Sequence, residues 1–254
     1  MSSIQNAKIR FNEPLIRRLV YAIHQAVSED APSFRREHYM ETNNYAKFLN
    51  SDFINENLRK HVVDENIELH HFCRGYLWDG CLLIDHGHKV TYTVATFATL
   101  NAAPKKHGNR PYYLQSLLFS ENREFEGSPK QMTIADYCET AGFVPFTDDE
   151  YVSDFDEIMQ GAITRSDGYC HYIVAYNVER SEITDIQLLF LDRDFAEVDS
   201  LSLMDYVTPD FATLTESNYD TTEENTNENE EAPRQPYKLR PGLKPALWAM
   251  EEEA

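Results

Sequence analysis

Residues 66–97, NIELHHFCRGYLWDGCLLIDHGHKVTYTVATF, decide the reading of the fold. Before this stretch apolar residues recur every three or four positions; within it the period falls to two. Val90, Tyr92 and Val94 fall on one face and Thr91 and Thr93 on the other, the pattern of a strand. The run has room for three antiparallel strands. Asp85-His86-Gly87-His88, between two apolar runs, predicts a hairpin turn in which Gly87 takes a positive φ. The two-residue period returns after the Asp167-Gly168 turn. Cys170, Tyr172, Val174, Tyr176 and Val178 share one face, and Ile186, Leu188 and Phe190 form the matching face of the next strand, joined by the polar turn at 179–182. Ala196, Val198 and Leu201 mark a third strand, and LSLMDYV a closing helical turn.

Helical spacing surrounds these strands. Leu15, Ile16, Leu19, Val20, Ile23 and Val27 form one stripe, with Asn12 as N-cap and Pro14 in the first turn. This helix is expected to stop near 29–31, because Pro32 disfavours a helical residue before it. A second helix is expected over 51–61, capped by Ser51, with Phe53, Ile54, Leu58 and Val62 inward. Further helices are expected over 113–119, over 133–141, and from the capping box Thr147-Asp148-Asp149-Glu150 to about Gly161. The order predicts an α+β domain over 1–212, antiparallel sheet with packed helices, with a subdivision point near 127. Residues 213–235 read as an acidic disordered linker: Thr215 to Glu231 holds seven acids and no base. Residues 236–254 regain apolar character and read as a C-terminal docking segment.

The charge is lopsided. Residues 1–127 carry 15 Lys/Arg and 15 Asp/Glu, whereas 128–254 carry 8 and 28, so the whole net charge of −20 lies in the second half. Such acidity disfavours direct nucleic-acid binding and favours a basic protein partner. No apolar run approaches the roughly 18 residues of a membrane span, and the N-terminal sequence lacks a signal-peptide core. Four scattered cysteines suit reduced, cytoplasmic thiols.

Motifs for chemistry are scarce. There is no CxxC, HExxH, GxSxG or glycine-rich phosphate loop, so neither cofactor nor metal is expected. His70 and His71 point to opposite faces of a strand and do not converge on an ion. One enzymatic alternative stays open. Asp192, Asp194, Glu197 and Asp199 cluster between strands and could serve a metal-dependent hydrolase or nuclease. Against it stands a partner-binding reading. Asp154, Asp156 and Glu157 lie beyond the first turn of their helix, where the dipole rewards them less, and suggest an acidic contact face. Tyr237, Leu239, Arg240, Leu243, Leu247 and Trp248 supply interface anchors on the tail, tethered by the linker.

The stretch 57–97 together with ITDIQLLFLDRDFAEVDSLSL at 183–203 resembles an uncharacterised bacterial domain family. Its members accompany helix-turn-helix regulators and toxin–antitoxin or phage-defence genes. The resemblance implies a regulatory or conflict-related role and brings no catalytic residue with it. The expected function is therefore an acidic, non-enzymatic protein, antitoxin-, immunity- or inhibitor-like, that neutralises a toxin or a nucleic-acid enzyme.

Overall fold

The computed structural model describes residues 12–38, 41–42, 44–74, 79–106, 108–128 and 146–207, all within one unit, Met1–Asp210. The expected helix at 133–141, the linker and the docking segment fall outside the described residues.

Six strands form one sheet in sequence order: β1 (Ile67–Cys73), β2 (Asp79–Asp85), β3 (Val90–Thr96), β4 (Cys170–Glu179), β5 (Glu182–Leu191) and β6 (Glu197–Ser202). Four of the five pairings are antiparallel, as expected for consecutive strands joined by short turns. The fifth is not. β3 and β4 run parallel from Val90↔Cys170 to Thr96↔Tyr176, and this seam joins the two three-stranded groups into one sheet. A parallel pair needs a long crossover. It contains α4 (Phe97–Ala102), α5 (Tyr113–Glu121) and α6 (Asp148–Met159).

Both faces of the sheet are covered. On one, α1 (Glu13–Gln25) and α3 (Ala46–His61) pack Leu19, Ile23, Ile54 and Leu58 onto Tyr92, Tyr172, Val174 and Leu188. On the other, α4, α5 and α6 pack Leu100, Leu114, Leu117 and Phe155 onto Ile84, Ile173 and Leu189. The alternation read in β3 therefore sorts side chains between two helical layers, and Thr91 and Thr93 are buried as deeply as Tyr92.

Three local expectations change. The first helix does not stop at Pro32. One π turn, Ala26–Asp30, carries the chain into α2 (Ala31–Glu37), with Pro32 in the first turn of that segment, where its missing N–H is tolerated. The second helix starts at Ala46, so Ser51 lies inside it and caps nothing. In the β2–β3 turn the left-handed residue is Lys89 (φ 55°), not Gly87. Asp85 closes the turn by accepting from the His88 N–H at 2.9 Å, and the Lys89 carbonyl is held by the Cys170 N–H at 3.1 Å, where the parallel seam begins. Asn12 does cap α1, accepting from the Leu15 N–H at 3.3 Å. The Thr147/Glu150 capping box opens α6 as read.

Candidate docking hollow on the crossover layer

The crossover layer is where most of the buried polar side chains lie, Asn57 on α3 being an exception. Asn122, fully buried after α5, accepts from the His171 N–H (2.8 Å) and donates to the carbonyls of His171 (2.8 Å) and Leu191 (2.7 Å). It replaces ladder hydrogen bonds and holds the start of β4 to the end of β5. Above it, the Thr91 hydroxyl donates to Glu121 Oε2 at 2.6 Å, leaving its oxygen to accept from His171 Nδ1 at 2.7 Å. Thr93 Oγ1 meets His171 Nε2 at 3.0 Å. Farther along, Arg74 spans from the end of β1 to Asp154 on α6, and Ser116 donates to the same carboxylate. Burial lowers the Arg74 pKa against the pull of Asp154.

At the surface of this layer lies a hollow of about 400 Å³ between α5, α6 and the β5–β6 turn. Its walls are aromatic. Phe119 stacks on Tyr151 (centroids 4.7 Å, interplanar 22°), and Phe146 meets Tyr151 edge-on at 5.9 Å. Phe195 closes one side from a left-handed backbone, φ 62°, which a bulky side chain rarely adopts. Asp192 holds it there: its Oδ1 accepts from the N–H groups of Asp194 and Ala196 (2.8 Å each), and its Oδ2 from the Gly127 N–H (2.9 Å). That clasp also explains why a carboxylate only 7% exposed sits in a turn.

Asp148, Asp194 and Arg193 rim the hollow, with Arg193 paired to Asp194 at 3.5 Å. Burial first, and then the charges of Asp194, Glu150 and Asp148, push the Tyr151 phenol above its ordinary pKa. Three carboxylates thus act on one ring. The protein's own Arg123 shows what such a surface takes. Its guanidinium lies 5.2 Å from the Phe119 centroid and reaches Asp148 at 3.1 Å. Aromatic faces beside carboxylates bind cations by the ring quadrupole and by direct ion pairing.

The residues read as sites from sequence are sorted by these positions. Asp154 does not belong to an acidic outer face. It is 5% exposed and turned inward, because the buried guanidinium of Arg74 needs a counter-charge. Asp156 is exposed, and Glu157 is exposed and paired with Arg110 at 3.0 Å. Asp192, Asp194, Glu197 and Asp199 do not converge. Asp192 clasps the turn, Asp194 faces the hollow, Glu197 accepts from the Ser200 hydroxyl at 2.8 Å, and Asp199 on β6 pairs with Phe190 on β5. Among the described residues no group of three His, Cys, Asp or Glu side chains could hold a metal ion. Tyr237, Leu239, Arg240, Leu243, Leu247 and Trp248 lie outside the described residues. Sequence reading missed Phe119, Phe146, Tyr151, Phe195 and Arg123. The one signal available was an aromatic residue beside each acidic cluster, as in Asp194-Phe195 and Glu150-Tyr151.

A mixed six-stranded sheet between two helical layers, with most of its buried polar groups on one of them, defines a three-layer α+β domain. The chain matches the model of a family of unknown function, DUF5986, over residues 8–253, and it belongs to that family. No curated protein and no solved structure matches it. Among the described residues no helix is long and apolar enough to cross a membrane.

Proposed function

We propose that this chain is an acidic, non-enzymatic binding protein that neutralises or regulates a basic protein partner, in the manner of an antitoxin, immunity protein or inhibitor. The supporting observation is the hollow in which Asp148 and Asp194 lie beside Tyr151, with Phe119, Phe146 and Phe195 in its walls. A lysine or arginine of the partner contacts these rings and carboxylates, as Arg123 contacts Phe119 and Asp148 from within the chain. The acidic second half steers the encounter, and residues 236–250 supply a tethered second contact anchored by Trp248. The partner is a toxin or a nucleic-acid enzyme, whose basic surface the hollow and its surroundings complement. The reading places the protein in the cytoplasm, where the free thiols of Cys73, Cys81 and Cys170 stay reduced.

The test is a titration of the full chain with a synthetic arginine-rich peptide. Affinity should fall steeply between about 50 mM and about 500 mM salt as exposed charges are screened. Asp148→Asn and Asp194→Asn should each weaken binding about two- to five-fold, in line with exposed ion pairs. Tyr151→Ala should weaken it at both salt concentrations. Binding indifferent to salt and to all three substitutions would sink the reading.

A further inference from the structure

The parallel seam ends at Thr96↔Tyr176, and there the two strands part. β3 runs into α4, which the Thr96 hydroxyl caps by accepting from the Thr99 N–H at 3.1 Å, and β4 turns back into β5. A hollow of about 510 Å³ opens at this point, against Val27 of the π turn, Arg35 of α2 and Asn50 of α3. Open sheets take up ligands in the crevice beyond the carboxyl ends of neighbouring parallel strands, where the diverging chains leave a gap. Among the described strands β3 and β4 are the one parallel pair, so this sheet has one such place. The volume lies within the range of small-molecule sites, about 300–1,000 Å³.

Two groups in the walls of this hollow destabilise the fold locally. The first is the β4–β5 turn. Glu179 pairs with Glu182, so the loop has two residues, and both are left-handed: Arg180 at φ 52° and Ser181 at φ 70°. Asn-Gly fills such a turn with the least strain. A long arginine is strained there, and no described side chain pairs with it. The second is Tyr176, which is 5% exposed and lines the hollow. Its hydroxyl has no hydrogen-bond partner among the described residues, and burial alone pushes the phenol up to about 12. Leaving a buried hydroxyl without a partner is costly, and an occupant of the hollow supplies one.

The charge in the walls is unbalanced. Arg35 and Arg180 line the hollow and no carboxylate does; Glu179 and Glu182 flank the turn without entering the lining. Arg35 donates to the neutral Asn50 Oδ1 at 3.0 Å, a bond that orients the guanidinium and leaves its charge intact. Neither arginine has a carboxylate partner among the described residues, although seven of the other nine described arginines have one. In a chain this rich in acids, pairing is the rule, and the two exceptions face one cavity. Each guanidinium presents a planar fork of donors that matches two oxygens of an oxyanion.

We infer that this hollow binds a small phosphate monoester, with Arg35 and Arg180 on the phosphate and Asn50, Ser181 and Tyr176 as further hydrogen-bonding partners. A phosphate monoester carries about 1.5 to 2 negative charges at neutral pH and three acceptor oxygens. That matches two guanidinium groups, whereas a monocarboxylate leaves one of them unanswered. The site shares no residue with the aromatic hollow and does not depend on the proposed protein partner.

The experiment titrates the full chain by calorimetry with ribose 5-phosphate, AMP, ribose and acetate. At least one of the two phosphates should bind, more weakly as salt rises, and ribose and acetate should not. Arg180→Asn and Arg35→Gln should each lose about ten-fold or more in affinity, the scale of a hydrogen bond to a charged group. The melting temperature should hold in Arg35→Gln and hold or rise in Arg180→Asn, because asparagine accepts the left-handed turn with less strain. An arginine with a purely structural role would give that rise without the loss of binding. Tyr176→Phe should lose about three-fold, as for a neutral hydrogen bond. Neither phosphate binding at millimolar concentration, acetate or ribose binding as tightly as the phosphates, or any of the three variants binding like wild type would overturn the site. Asp148→Asn should weaken binding of the arginine-rich peptide and leave phosphate binding intact, so the two proposals fail separately.

Discussion

Thr91 and Tyr92 are neighbours on β3 and belong to different proteins in all but sequence. Tyr92 points into the layer of α1 and α3, where Leu15, Leu19 and Ile23 are fully buried and the contacts are almost entirely apolar. Its hydroxyl is buried there without a hydrogen-bond partner among the described residues, and burial drives the phenol far above its ordinary pKa. Thr91 points into the crossover layer, where a hydroxyl joins Glu121 to His171. One layer is held by area removed from water, which is non-directional. The other adds directional bonds that select a single arrangement of α5, α6 and β4. The aromatic hollow borders the crossover layer. Precise placement of surface groups needs the directional kind of packing.

The largest effect should come from breaking the buried ion pair. Arg74→Met leaves Asp154 as an unpaired charge and should lower unfolding free energy by about 3–5 kcal/mol in urea. Adding Asp154→Leu should restore much of that loss if the pair serves specificity more than stability. Leu19→Ala tests the apolar layer and should remove about 3 kcal/mol. It should leave arginine-peptide binding unchanged once the chain is folded, which the Arg74 variant should not. Next comes the β3 pair itself. Thr91→Val strands Glu121 and His171 and should destabilise by about 1–3 kcal/mol, whereas Tyr92→Phe removes a hydroxyl with nothing to lose and should be neutral or slightly stabilising. Equal losses from the two would erase the distinction between the layers.

The smallest effect is a pH dependence. The Arg18 guanidinium, and then the Asn66 N–H, hold the Asp64 carboxyl below its ordinary pKa. A carboxylate with a lowered folded pKa stabilises the fold above its unfolded pKa, and that contribution disappears as pH falls through the folded value. The stability gap between wild type and Arg18→Gln, read from urea midpoints, should therefore be present near neutral pH. It should close as pH falls through the lowered folded-state value. The pair is exposed, so the gap should be small.

Much of this architecture was legible because it is written locally. The capping box at Thr147, the cap at Asn12 and the strand faces of 90–94 and 170–178 depend on spacing within a few residues. The parallel seam was not legible. It matches residues 80 positions apart, and nothing near Val90 or Cys170 says which strand will lie beside it. The π turn before Pro32 was hidden for a related reason: local rules stop a helix there, and packing of Val27 and Ala31 into the core carries it on. At the hollow, the acids at 192–199 stood out as a cluster, yet their separate roles depend on a backbone that turns Phe195 left-handed. The aromatic walls come from 119, 146, 151 and 195, a set no linear pattern unites.

The seam has a consequence for how the chain folds. Strands β1–β3 and β4–β6 are each meanders whose contacts close over short loops, and such contacts form quickly. Pairing β3 with β4 must close a loop of about 80 residues before Asn122, Thr91 and His171 can return any free energy. The two meanders are thus early structures and their junction the late one. Substitutions at Asn122 or His171 should act mainly on the rate of unfolding, while substitutions within either meander slow its assembly. The junction that makes one sheet out of two is also the place where the native state first comes apart.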